Sequence, residues 1–259
     1  MRGAVPGGTS WTRIGLMKTL RDEAIVLRTQ DLGEADRVVT LLSANNGLVR
    51  AVAHGVRKTT SRIGARLEPF GVVDVLIRPG RGGLHNVEQV ETLAPYGRSI
   101  AADYALFTTA NLMVETLERL SEEAWATDRY YRLTLGALHA LALSRHEPGL
   151  VLDSYLLRLL GLAGWAASCW NCATCGAGGP HRYFNPAAGG AVCGECKPHG
   201  AASVALETMH LLAALSVGDW PRAEASGAAE RAEAHSLVTA FVQWHMERRL
   251  KSLSILEIA

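Results

Sequence analysis

The sequence predicts an α+β chain of several domains: an N-terminal five-stranded barrel of the OB type, then an all-helical domain carrying an inserted four-cysteine module of the zinc-ribbon type. Three observations predict it. Short β-branched runs separated by turn residues are confined to positions 24–93. Beyond Pro95 the apolar period changes to three and four residues. Two Cys-x-x-Cys pairs, Cys172/Cys175 and Cys193/Cys196, interrupt the helical part. A length of 259 residues allows two small domains or one large one, 48% hydrophobic content supports a real core, and a net charge of +1 leaves any nucleic-acid signal to local clustering.

Residues 1–16 hold Gly3, Pro6, Gly7, Gly8, Thr9 and Ser10 without an apolar run, and are expected to be a disordered leader, with Met17 an alternative start. No stretch reaches the ~18 uninterrupted apolar residues that cross a bilayer, so no membrane partner is expected. The barrel domain is expected over 17–95. Its strands are Ala24–Leu27, Val38–Leu42, Leu48–Ala53 after the Asn45-Asn46-Gly47 turn, Phe70–Ile77, and Leu84–Leu93 after the Pro79–Gly83 break. Five strands with no room for long helices suggest a small antiparallel barrel, and OB barrels commonly bind oligonucleotides.

Charge inside this domain is uneven. From Arg37 to Leu67 there is no Asp or Glu, while Arg37, Arg50, Arg57, Lys58, Arg62 and Arg66 all occur there. The last four sit in one loop after the third strand. Gly55 and Gly64 would let that loop approach a backbone closely, and Thr59, Thr60 and Ser61 would offer hydroxyls to phosphate oxygens. Such a loop neutralises phosphates with little sequence preference. Phe70 is the only aromatic residue between Arg21 and Leu93, so backbone electrostatics rather than stacking is expected to dominate.

The helical domain is expected over 96–259. Ile100, Tyr104, Phe107, Asn111, Val114, Leu117 and Leu120 mark one face of a long first helix, with Glu122-Glu123 past its end. Tyr131, Leu135, Leu138 and Leu141 mark a second over 127–144, capped by Thr127 or Asp128. Pro148 opens a third, ended by Gly161 and Gly164. A fourth starts near Ser203 or Val204 and stops at Gly218-Asp219. The last covers 229–251, with Leu237, Phe241, Trp244 and His245 on its inner face and Arg248, Arg249 and Lys251 in a basic last turn.

The cysteine module, at about 169–199, lies between the third and fourth of these helices. Cys172, Cys175, Cys193 and Cys196, with residues 176–192 between the pairs, match a tetrahedral zinc site: a two-residue gap turns both sulfurs of a knuckle toward one ion. Four thiolates close the coordination shell, so one structural Zn2+ is expected rather than a catalytic one. An odd fifth cysteine, Cys169, and the absence of an even disulfide set point to a reducing cytoplasm. No phosphate-binding Gly-rich loop, nucleophile elbow or His-Glu-x-x-His is present, so no enzyme is expected and no catalytic residue is assigned.

The strand-rich basic module, the helical remainder and the paired knuckles together resemble the bacterial recombination mediator family RecO. The local strings are Asp22–Thr29 with Leu32–Arg37, Gly55–Lys58 with Ser61-Arg62 and Leu67–Phe70, and Ala188–Cys193. The resemblance covers nearly the whole chain from Met17. It implies binding of single- and double-stranded DNA, annealing of complementary strands, and loading of RecA onto DNA coated by single-stranded-DNA-binding protein (SSB), together with RecR. It also implies a bacterial, nucleoid-associated location and a pocket for the acidic SSB tail in the helical domain. No motif places that pocket; Arg129, Arg132 and Arg158, near apolar helical faces, are the positions considered for it. The competing reading is a zinc-containing transcriptional regulator, which needs a base-reading helix-turn-helix, whereas the cations here gather in a barrel loop.

Overall fold

The computed structural model describes residues 19–57, 61, 63–80, 82–121 and 127–256, and side chains among them except at 121, 127 and 248–256. The expected leader, Lys58, Thr59, Thr60, Arg62 and the Glu122-Glu123 pair lie outside the described residues. The chain divides into two compact units, one ending at Ile100 and the other beginning at Ala101.

The first unit is a closed five-stranded barrel in the order β1-β2-β3-β5-β4. Its strands are β1 (Leu20–Leu32), β2 (Asp36–Ser43), β3 (Gly47–Ala53), β4 (Val72–Arg78) and β5 (Leu84–Ala94). The sequence leads one to expect antiparallel pairing throughout. One pair departs from that: β3 runs parallel to β5. A closed ring with an odd number of strands cannot alternate direction everywhere, so one parallel neighbour is unavoidable. β1 closes the barrel by pairing with β4 through Leu20–Ile25 and with β2 through Ala24–Leu32, and a bulge between Val26 and Arg28 bends it from one partner to the other. Ala24, Val26, Val39, Leu41, Val49, Ala51, Val73, Val75 and Val90 are among the residues that fill the interior.

Phe70 does not begin the fourth strand as expected. It is a buried residue at φ +66, and its N–H donates to Val26 O at 2.7 Å, while Val26 N–H donates to Gly71 O at 2.9 Å. The chain turns here to meet β1 beside its bulge, and β4 starts two residues later.

In the second unit α2 (Tyr104–Ser121) and α3 (Thr127–Ala142) both pack against α4 (Pro148–Leu162). A single helix through Ile100 and Leu120 is not formed. The short α1 (Tyr96–Ala101) ends first, and Asp103 then accepts from the N–H groups of Ala105 and Leu106 at 2.8 and 3.1 Å, restarting the helix in a new phase. The buried stripe becomes Leu106, Ala110, Met113, Leu117 and Leu120, and Tyr104, Phe107 and Asn111 are exposed rather than buried. α4 is buried on nearly every side, with Arg158 exposed, and packs also against α5 (Leu206–Val217) and α7 (Ala228–Leu256). Pro148 at its start and Gly164 beyond its end, at φ +90, bound it as expected, but Gly161 lies within the helix rather than ending it.

The cysteine module contains a small sheet that periodicity did not reveal. Its strands β6 (Tyr183–Asn185), β7 (Gly190–Val192) and β8 (Ala202–Ser203) lie in the order β7-β6-β8. Pairing of β8 with β6 holds Ser203 extended, so α5 begins at Leu206 rather than at Ser203 or Val204. It ends at Gly218, whose φ of +76 makes the left-handed cap, and Asp219 then caps the short α6 (Trp220–Glu224) through Arg222 N–H. α7 continues five residues past Lys251, so the basic residues at 248, 249 and 251 precede its last turn. Leu237, Val238 and Phe241 face inward, and Trp244 is exposed, contrary to expectation.

Candidate nucleic-acid interface and metal centre

The basic connection leaves β3 at Ala53 and reaches β4 at Val72. Its start is clamped by Asp36 at the head of β2. His54 Nδ1 lies 2.7 Å from Asp36 Oδ2 and His54 Nε2 lies 3.0 Å from Asn86 Oδ1, while Gly55 N–H donates to Asp36 Oδ1 at 2.8 Å. The bonds to Asp36 and then Asn86 raise the His54 pKa above its ordinary value, which favours its cationic form beside the loop.

The described cations do not all hang free. Arg57 donates to Gly33 O at 2.6 Å and pairs with Asp31 at 3.2 Å. Arg37, on β2, pairs with Asp31 at 3.1 Å and with Glu68 at 3.3 Å. Arg66 closes a single 3-10 turn and donates to Val90 O on β5 at 2.6 Å. Arg50 is exposed on β3, opposite Thr40 of β2 and Leu84 of β5. Arg37 and Arg57 thus converge on Asp31, whereas Arg66 is tied to the neighbouring strand. Asp31, Asp36 and Glu68 are the site residues that sequence reasoning missed. They stand just outside the acid-free window, so only folding brings them onto it. Gly64 also has an internal reason to be glycine: a Cβ there would come 2.3 Å from Val56 O, so its close approach is to the loop's own backbone.

The metal centre is built from two knuckles and β7. In the first knuckle, Gly176 N–H donates to Cys172 O at 2.9 Å and Cys172 N–H donates to Ala177 O at 2.8 Å. Ala173 N–H donates to Ala191 O at 2.7 Å, which ties this knuckle to the strand leading into the second. Gly190 makes that strand possible, since a Cβ there would meet Ser168 O at 2.3 Å. The sulfurs of Cys172, Cys175, Cys193 and Cys196 all lie within 4.8 Å of one another. Those of Cys175 and Cys193 are 3.9 Å apart. Sulfurs around a tetrahedral ion with bonds of ~2.3 Å would be separated by about 3.8 Å, against ~2.05 Å in a disulfide. The donor set therefore fits a thiophilic dication and not a pair of disulfides.

The protonation chemistry agrees. Cys172 is held down to about 6 by backbone hydrogen bonds from Cys175 and Cys193. Cys196 is pushed up to about 12 by its hydrogen bonds to Cys193 and Cys175. Thiols this close share protons and cannot all ionise unless a cation lies among them. Cys193 N–H donates to Cys172 Sγ at 3.4 Å, a bond that favours the thiolate. Cys169 stands apart: it is buried, its thiol is pushed up to about 12 by burial, and Sγ is 3.6 Å from Ala167 O. The module is anchored by Phe184 of β6, whose ring meets Phe241 of α7 edge-on at 6.0 Å.

Of the trial positions for an acidic tail, Arg132 pairs with Asp128 one turn earlier at 3.4 Å, Arg129 is exposed on α3, and the Arg158 guanidinium lies beside Gly218. Among the described residues no helix is long and apolar enough to cross a membrane.

The sequence family described as "Recombination protein O N terminal" matches residues 17–96, and that described as "Recombination protein O C terminal" matches residues 101–254. A curated relative, "DNA repair protein RecO" of Nocardioides sp., is 50% identical over 241 residues, covering 92% of this chain and 98% of that relative.

Proposed function

We propose that this chain, which belongs to the recombination protein O (RecO) family and so has a role in DNA repair and recombination, is a non-enzymatic DNA-binding mediator. The observation that carries this reading is the closed OB-like barrel whose β3–β4 connection bears the cations. The domain over 17–95 binds single- and double-stranded DNA. Arg57, Lys58, Arg62 and Arg66, flanked by Arg37 and Arg50, neutralise phosphates without reading bases. The ion pairs of Arg37 and Arg57 to Asp31 hold those guanidinium groups in place, ready to be shared with a phosphate. The protein anneals complementary strands and, with RecR, helps load RecA onto single strands coated by SSB. Its helical domain, over 96–259, takes the acidic tail of SSB. It works in the bacterial cytoplasm at the nucleoid.

Cys172, Cys175, Cys193 and Cys196 hold one structural zinc ion. When bound, the ion supplies charge neutralisation and cross-linking, and a closed four-sulfur shell leaves no position for a substrate. The protein's own groups do the rest: the backbone N–H of Cys193 supports the Cys172 sulfur, and Ala173 ties the knuckle to β7.

The test is a fluorescence assay of annealing between complementary oligonucleotides, bare and SSB-coated. Acceleration in both is expected, and no acceleration in either sinks the reading. Replacing Arg57, Lys58 and Arg62 together by Ala should weaken binding of all DNA sequences and flatten its dependence on salt. Arg66 is better kept in that variant, because its bond to Val90 O supports the barrel.

A further inference from the structure

We propose that Trp170 and His210 form a base-stacking platform beside the cysteine cluster, on which the protein holds an unpaired nucleobase. The inference rests on the DNA-binding reading above and adds a second contact of a different kind. A protein that anneals single strands must hold bases that have lost their partners. The barrel's one Phe, Trp or Tyr, Phe70, is only 2% exposed, and its exposed imidazole, His54, is bonded at both ring nitrogens to Asp36 and Asn86. Among the described residues the exposed large aromatic side chains are Tyr104, Phe107, Trp170 and Trp244, all in the second unit.

Trp170 is the best prepared of these. Its ring stacks on His210 of α5, with centroids 5.5 Å apart and planes 20° from parallel, and 41% of the residue is still exposed. Its backbone is held on both sides. The chain at Gly179 passes so close that a Cβ there would be 1.9 Å from Trp170 O, and Ser168 Oγ donates to Asn171 O at 2.6 Å. A ring held in place loses little entropy on stacking. Two exposed cations lie in the cysteine module outside its strands, Arg182 just before β6 and Lys197 just after the second knuckle. Arg182 makes no ion pair among the described residues and accepts Val204 N–H at 2.9 Å just before α5, and Lys197 lies over the Tyr183 ring at 4.2 Å. By contrast Tyr104 follows Asp103 directly and Phe107 shares its helix with Glu115 and Glu118, while Trp244 lies one turn before Glu247. The exposed Glu207, one turn before His210, opposes phosphate at the platform. The contact is therefore one of stacking and not of charge, and it should be insensitive to salt.

The test measures binding of labelled oligo-dT, and of a duplex of equal length, to the zinc-loaded full-length protein by fluorescence anisotropy over a range of salt. Trp170→Leu keeps an apolar side chain and removes the ring. It should weaken oligo-dT binding roughly five- to hundredfold, leave duplex binding unchanged and leave the salt slope unchanged. Trp170→Phe should restore most of the loss, and His210→Ala should show a smaller loss for oligo-dT alone. Equal losses for single strand and duplex, or a Phe variant as weak as the Leu variant, would overturn the platform. If Trp170→Leu lowers the melting temperature, the Phe and His210→Ala variants decide: a selective single-strand loss in His210→Ala supports the platform, and none refutes it. Wild-type protein that binds neither DNA overturns the DNA-binding reading itself. Wild-type binding with an unaffected Trp170→Leu removes only the platform.

Discussion

Asp22 shows how one side chain can organise a barrel end. It is nearly buried and accepts from Ser43 Oγ, from Asn45 N–H at 3.0 Å, from Asn45 Nδ2 at 2.8 Å and from Asn46 Nδ2 at 2.9 Å. It thereby holds the whole β2–β3 turn against β1. Burial pushes its carboxyl up, but the bonds from Ser43, Asn45 and Asn46 outweigh that, and the group sits below its ordinary value. A depressed carboxyl contributes stability above its unfolded pKa and loses it as pH falls through the folded one. Asp22→Ala should therefore cost roughly 1–3 kcal/mol at neutral pH by leaving those donors unmatched. In urea titrations the gap from wild type should close as pH drops below ~4. Asp153 on α4 has the opposite sign. Burial pushes it up to about 6, and the 2.8 Å bond to His235 Nδ1 only partly offsets this. Its contribution is complete below the ordinary Asp range and is lost as pH rises through about 6. Asp153→Asn should leave stability at mildly alkaline pH unchanged or higher, and should flatten the pH dependence between ~4 and about 6. A variant much less stable than wild type at alkaline pH would contradict this.

At the scale of elements, the cysteine module and α4 behave differently. The module's sheet has strands of only two or three residues, too short to stand without a cross-link. Cys193→Ser should therefore lower metal content from about one zinc per chain and loosen the segment between α4 and α5. Metal analysis with hydrogen exchange over 169–203 would check this, and full occupancy in the variant would mean a different ligand set. α4 is held mainly by apolar burial, with buried hydrogen bonds at Asp153, Ser154 and Tyr155. Leu159→Ala, at a fully buried position, should cost roughly 2–5 kcal/mol, measurable by chemical denaturation. The β3–β4 connection differs again: Val56 and Leu67 enter the barrel core and Ile63 packs against it, while Asp36, Asp31 and Val90 O hold its polar groups.

For the whole molecule, each of the two units has its own core, so each should melt with its own dependence on metal. Chelation should lower the transition of the helical unit and leave that of the barrel in place, as calorimetry would show; a shift of both would mean coupled unfolding. Much of this organisation is legible in the sequence alone. Alternating and β-branched runs locate the five strands, although β1 starts four residues before and ends five after the expected Ala24–Leu27. Pro148, Gly164 and Gly218 bound their helices because their backbone preferences are local. The cysteine spacing announces the four-sulfur cluster because two residues between sulfurs is a local geometric demand. Other features are decided by tertiary structure, because they depend on groups far apart in the chain. The parallel β3–β5 pair follows from closing an odd ring. The change of helical phase at Asp103 turns Tyr104 and Phe107 outward, and no period of apolar residues announces it. The acids that meet Arg37 and Arg57 lie outside the window that looked purely basic. The Trp170–His210 stack joins residues forty positions apart, brought together only when β8 pairs with β6 and sets where α5 begins.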